Sequence, residues 1–215
     1  TEVKKDGELF LVSGTDIVGV VGENGQVDFM GGVHGDETNV DFHITADGVP
    51  VTTDTICKQV DVLMYSHLTR VSTGDNVVDR YVHITITNGC IEIETTFKSL
   101  VDNFSVANAY PGGMWAWYNE DSIYATSNIG ELVGTGTSTV ELQSSHGLYS
   151  ATAILDNGIV TCENVIGAEE ANSLGQALFY GGAERPKMKM YFAGLHNETW
   201  NAGHICKGKA RYTFM

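Results

Sequence analysis

Proline is almost missing from this chain, at three residues in 215, and cations are scarce, at 12 Lys and Arg against 27 Asp and Glu. The shortage of cations leaves a formal charge of −15, which repels phosphate backbones and anionic lipid, so nucleic acid and membrane surfaces are poor partners. No apolar run approaches the roughly 20 residues that span a bilayer as a helix, which excludes helical membrane insertion. The four cysteines, Cys57, Cys90, Cys162 and Cys206, contain no CxxC pair, which excludes a zinc ribbon and predicts buried free thiols of a reducing compartment. The chain begins at Thr1 with no initiator Met, signal peptide or lipidation motif, and reads as a piece of a longer polypeptide.

Glycine is plentiful, and it punctuates the chain. Asn24-Gly25, Asp47-Gly48, Asn88-Gly89 and Asn157-Gly158 each sit between apolar runs, the strongest short-range hairpin signal. Period-2 segments recur near 8–12, 17–21, 27–30, 40–46, 59–65, 123–126, 148–155, 159–163, 187–193 and 210–214. Helical periodicity is confined to 167–180, predicted as one short helix, and 96–104, predicted as a single turn. The fold is therefore predicted to be all-β, a single jelly-roll-like sandwich of antiparallel strands. Residues 1–30 are expected to be a short β lead-in and residues 31–215 the sandwich domain.

The hairpin at 81–96 fixes its own register. A two-residue type I′ turn at Asn88-Gly89 pairs Ile86 with Ile91 and Ile84 with Ile93 on one face. It pairs Thr85 with Glu92 and His83 with Glu94 on the other. A slip of one residue would scatter the apolar set. His83 beside Glu94 suits a general base or metal ligand, or is a plain cross-strand polar pair. Arg80 nearby can clamp a carboxylate or an acidic sugar.

The densest chemistry lies in Gly31-Gly32-Val33-His34-Gly35-Asp36-Glu37, which reads either as a tight turn capped by its carboxylates or as a site. Asp36 and Glu37 point opposite ways on a strand, so a partner carboxylate must come from elsewhere; Glu94, Asp41 and Glu198 are the candidates. No motif requires a cofactor. His34 and Glu37, in the string Gly-Val-His-Gly-Asp-Glu, resemble the zinc motif of the aspartoacylase and succinylglutamate desuccinylase family, which implies a divalent metal on those two side chains. The resemblance ends at Glu37, because Val40, Phe42 and Ile44 alternate as a strand where that family has a helix.

Aromatic residues cluster at Tyr110 to Tyr118, where Trp115 and Trp117 share one face of a strand and can stack on sugar rings or fill the core. His196 and Trp200 lie in a predicted loop flanked by Lys187, Lys189, Lys207 and Lys209, so local charge there is positive. The closing segment, Lys189-Met190-Tyr191-Phe192 leading to Ala210-Arg211-Tyr212-Thr213-Phe214, is similar in character to the C-terminal domains of phage tail fibres, tail spikes and appendages. That resemblance implies a trimeric module of a virion or extracellular protein that binds cell-surface polysaccharide, and the residues' own chemistry makes Asp36, Arg80, Glu94, Tyr110, Trp115, Trp117, His196 and Trp200 the candidate binding residues. Two alternatives stand beside it: a polysaccharide lyase or hydrolase using Glu37, His34 and His83, and an assembly domain with no ligand.

Overall fold

The structure is a computed structural model, and it describes residues 2–5, 8–14, 17–21, 26–30, 37–70, 73–109, 111, 114–118, 124–127, 130–133, 140–144, 150–155, 158–166, 175–180, 187–192 and 195–215. In chain order the strands are β1 (Glu2–Lys5), β2 (Glu8–Gly14), β3 (Ile17–Val21), β4 (Gln26–Met30), β5 (Glu37–Ala46), β6 (Val49–Pro50) and β7 (Gln59–Thr69). There follow β8 (Asn76–Thr87), β9 (Cys90–Ser99), β10 (Phe104–Ala109), β11 (Met114–Tyr118), β12 (Tyr124–Ser127), β13 (Gly130–Val133) and β14 (Val140–Ser144). The last six are β15 (Ser150–Leu155), β16 (Gly158–Ile166), β17 (Gly175–Tyr180), β18 (Lys187–Phe192), β19 (Leu195–Trp200) and β20 (Ile205–Phe214). Among the described residues there is no helix, so none is long and apolar enough to cross a membrane.

The strands form three antiparallel sheets. The largest runs β13-β12-β15-β16-β20-β9-β8-β7-β5-β6, a second runs β1-β2-β11-β18-β17-β14, and a third runs β19-β10-β3-β4. The all-β expectation and the positions of the period-2 segments agree with this. Two helical expectations do not. Gly175–Tyr180, the described part of 167–180, is a strand between β14 and β18, and Thr96–Ser99 continues β9 before a turn at 101–103. Both segments have neighbours that supply backbone partners on two edges, and pairing of that kind overrides a weak local preference.

The β8–β9 register is the expected one: Thr87 faces Cys90, Ile86 faces Ile91, Ile84 faces Ile93 and His83 faces Glu94. The turn differs. Only Gly89 is left-handed there, with φ 72°, whereas type I′ needs both central residues so; Asp47 and Gly48, at φ 49° and 81°, meet that requirement instead. On one face of the large sheet, Leu68, Val78, Val82, Ile84, Ile91, Ile93 and Phe97 are buried. One buried cluster joins Leu68, Val78, Phe97 and Cys206 to Met30 of β4, Phe104, Val106 and Ala109 of β10 and Trp200 of β19, so this end of the large sheet packs on the small one. Of the described cysteines, Cys206 is buried and Cys57 and Cys90 are half-buried.

A Cβ at Gly89 would sit 3.2 Å from the Phe214 carbonyl oxygen in a left-handed conformation, whereas one at Gly48 meets nothing within 4 Å. Gly89→Ala is expected to lower stability by about 1–3 kcal/mol, and more than Gly48→Ala, in urea unfolding.

Candidate active site

The opposite face of the large sheet is polar, and register alone arranges it in rows. Thr38, His67, Asp79 and Lys98 make one row; Asp41, Tyr65, Tyr81, Thr96 and Lys207 the next; His43, Leu63, His83, Glu94 and Lys209 a third; Thr45, Asp61, Thr85, Glu92 and Arg211 a fourth. A bulge at Val40 shifts β5 by one residue and so brings Asp41 and His43 onto this face. The two middle rows line an open cleft of about 480 Å³, its walls including Asp41, His43, Leu63, Tyr65, Tyr81, His83, Glu94 and Thr96.

Three imidazoles on this face are each held by a carboxylate. His43 Nε2 lies 3.0 Å from Asp41 Oδ2, His67 Nδ1 lies 2.8 Å from Asp79 Oδ1, and His83 Nε2 lies 3.0 Å from Asp61 Oδ1. Asp61 also accepts from the Gln59 amide at 2.7 Å and the Thr85 hydroxyl at 2.9 Å. The Gln59 bond first, and then His83, hold its carboxyl below the usual range. Glu94, directly across from His83, has no hydrogen-bond or ion-pair partner among the described residues. Tyr65 and Tyr81 stack with ring centroids 4.6 Å apart and planes 9° from parallel, and the Tyr65 hydroxyl donates to Asp79 at 3.2 Å. Desolvation, then that carboxylate, push the Tyr65 phenol up to about 12, so it stays a donor at neutral pH.

In the next row, Glu92 accepts from Arg211 Nε at 2.8 Å and lies 2.9 Å from Lys209 Nζ. Those two cations, Lys209 first, hold Glu92 below its usual range, and Glu92 in turn raises Arg211.

The expected grouping of Glu37, His34 and His83 is not what the register gives for its described members. Glu37 opens β5 opposite Leu68, on the core face, five residues along the strands (about 17 Å) from the level of His83. Its carboxylate is ion-paired to Arg80 Nη2, and Arg80 Nε donates to Ser66 Oγ at 3.3 Å. Arg80 is only 5% exposed and Glu37 12%, so this guanidinium clamps an internal carboxylate and does not reach the cleft. His34, Asp36 and Tyr110 lie outside the described residues, as do the side chains of Trp115, Trp117 and His196, whose backbones sit in β11 and β19. Trp200 ends a strand rather than sitting in a loop. Its enclosed ring packs edge-on to Phe104 at 6.2 Å and against His204 at 5.0 Å, and its Nε1 donates to Glu198. Among the described residues no three His, Cys, Asp or Glu side chains gather as a metal site.

Sequence reasoning reached His83 and Glu94, and offered Asp41 only as a partner for Glu37. It missed Asp61, Tyr65, Tyr81 and His43. The β7–β8 connection carries no two-residue turn signal, and the β5 bulge reverses the faces that simple alternation assigns.

No protein-family model matches the chain, and no curated protein matches it in sequence. Solved structures do match in shape. The chain is similar to the Slr1438 protein from Synechocystis sp. PCC 6803, with TM-score 0.51, 10% identity, and 100% of this chain and 87% of that one covered. It is similar to a galactose mutarotase related enzyme from Lactobacillus acidophilus, with TM-score 0.52, 7% identity, and 97% and 83% covered. A galactose mutarotase-like protein from Lactobacillus casei ATCC 334 gives TM-score 0.45 at 10% identity, with 76% and 72% covered. The first two likenesses are of fold, and they span nearly the whole chain. They overturn the resemblance to phage tail proteins. The functions built on that resemblance fall with it: receptor binding, depolymerisation, virion assembly, and a virion or extracellular location.

Three substitutions test this geometry. Breaking the nearly buried pair with Arg80→Met is expected to destabilise the fold, by up to about 3–5 kcal/mol in urea unfolding. The surface substitution His43→Asn should cost under about 1 kcal/mol. Glu92 has its folded pKa depressed, so it contributes stability above its ordinary 4.5 that is lost as pH falls through the folded value. Thermal unfolding of Glu92→Gln should therefore lose less stability than the parent as pH falls from about 5 to about 3.

Proposed function

We propose that the cleft binds a monosaccharide and interconverts its anomers by acid–base catalysis. The observation that carries this is the placement of an oriented imidazole, His83 on Asp61, directly across the strand pair from Glu94, which has no partner among the described residues, beside the Tyr65–Tyr81 stack. Interconversion needs one group to take the proton of the anomeric hydroxyl and another to give a proton to the ring oxygen. The C1–O5 bond then opens to the aldehyde, which recloses on either face. His83 and Glu94 are the acid–base pair in this reading, Asp61 fixes the imidazole, and the rings of Tyr81 and Tyr65 offer an apolar wall with hydroxyl tips. The chemistry requires neither metal nor cofactor. Likeness of fold to a galactose mutarotase related enzyme supports a sugar as the ligand. We also infer that the ten-stranded and four-stranded sheets stack as two layers of a sandwich, supported by the cluster that Leu68 and Phe97 share with Phe104 and Trp200.

Polarimetry of freshly dissolved α-D-galactose and α-D-glucose tests the activity, with the uncatalysed rate as the baseline. Acceleration is expected for at least one sugar, and His83→Gln should reduce it about 10²–10⁴-fold. Lys58→Gln, at an exposed site away from the cleft, should leave it unchanged. No acceleration of either sugar, or of galactose 6-phosphate, by the parent protein would sink the proposal.

A further inference from the structure

We infer that the ligand of this cleft carries an anionic group, and that Lys98 and Lys207 receive it; the inference rests on the sugar reading above. The chain has only 12 Lys and Arg, yet Lys98, Lys207, Lys209 and Arg211 stand on the polar face of two adjacent strands, β9 and β20. Two of the four are accounted for, because Glu92 binds both Lys209 and Arg211. Lys207 and Lys98 have no ion pair among the described residues. Lys207 stands directly across from Thr96, a cleft-lining residue, and Lys98 follows Thr96 by two residues on the same face.

Thr96, at the edge of the cleft, has both lysines as register neighbours, although neither lysine lines the cleft itself. Tyr81, 43% exposed, stands on one side and Lys207 on the other, with Glu94 at one end and Lys98 at the far end. A pyranose lying on Thr96 with its anomeric carbon toward Glu94 and His83 would place its opposite end between the two ammonium groups. That end is C4, and its ring neighbour C5 carries the exocyclic carbon of a hexose, so the fitting ligands are a 6-phosphorylated hexose or a hexuronate. The net charge of −15 does not oppose this. Charges beyond about 8 Å are largely screened at physiological salt, while two flexible lysines beside Thr96 reach the anion directly.

The test is calorimetric titration at 0.05 M and 0.3 M salt with galactose, galactose 6-phosphate, galacturonate and inorganic phosphate. A sugar phosphate or uronate is expected to bind at least about tenfold more tightly than galactose at low salt, with the margin shrinking at high salt. Lys98→Gln/Lys207→Gln should bring that ratio close to one, and Lys58→Gln should leave it intact. Which of the two anions has the larger margin identifies the source. Equal affinity for neutral and anionic sugars, or inorganic phosphate binding as tightly as sugar phosphate, would overturn the inference. Anion-selective binding by a protein that accelerates no anomer interconversion would instead overturn the catalytic proposal and leave this one standing.

Discussion

The register between β7, β8 and β9 decides where every other group in this sheet can be. With a side-chain period of two, one residue of slip would send Val82, Ile84, Ile91, Ile93 and Phe97 to water and bury His83, Glu94 and Asp61 in their place. Each large apolar side chain is worth about 1.5–3 kcal/mol when buried, so five of them outweigh or match the whole stability expected of a domain. The core therefore holds the polar face in position. His83 faces Glu94 and reaches Asp61 because the isoleucines beside it on the same strands have nowhere else to go.

How far the sequence discloses this depends on how local the determinant is. The hairpin at 81–96 is contained in sixteen residues with one turn and an unbroken alternation, and its pairing follows from the pattern alone. The partner that His83 takes is a different matter. Glu94 faces it on β9, but the hydrogen bond goes to Asp61 on β7, across a connection whose length is set by residues 70–75 and by no two-residue turn. The turn type at Asn88-Gly89 was beyond reach for a related reason: a register can be satisfied with one left-handed residue or two, and the pairing pattern does not distinguish them. At 167–180, alanine and glutamate suggested a helix, but the described end of the segment has a strand on each side, and those partners decide it.

Arg80 and Glu37 show the opposite error. Both are charged, near interesting neighbours, and were natural candidates for a site. Alternation along β8 puts Arg80 on the face of Val82 and Ile84, not that of His83, and this was readable from position parity. What parity cannot reveal is why a guanidinium is tolerated there. Part of the answer lies 43 residues away, in a carboxylate on β5 that crosses over β7 to meet it, with Ser66 Oγ of β7 accepting a hydrogen bond from Nε between them. The three strands are joined at their buried end by this pair, at the same end where the bulge at Val40 sets the facing of Asp41 and His43.

Adjacent carboxylates on β9 have opposite fates, and the difference separates scaffold from chemistry. Glu92 is gripped by Lys209 and Arg211, and that grip lowers its pKa and occupies both of its oxygens. A group so committed holds β9 to β20 and is poor at exchanging protons, since protonating it would forfeit two charge-assisted bonds. Glu94, two residues on, shares the face but has no such partner among the described residues, because the lysine directly across from it leans toward Glu92. The same division runs through the histidines. His67 is linked to the nearly buried Asp79, which also takes the Tyr65 hydroxyl, whereas His83 is half-exposed at the cleft wall. A proton-transfer site needs one group that is held in place and another that is left unsatisfied. On this sheet, His83 on Asp61 and Glu94, which has no partner among the described residues, are the pair that best meets those two conditions.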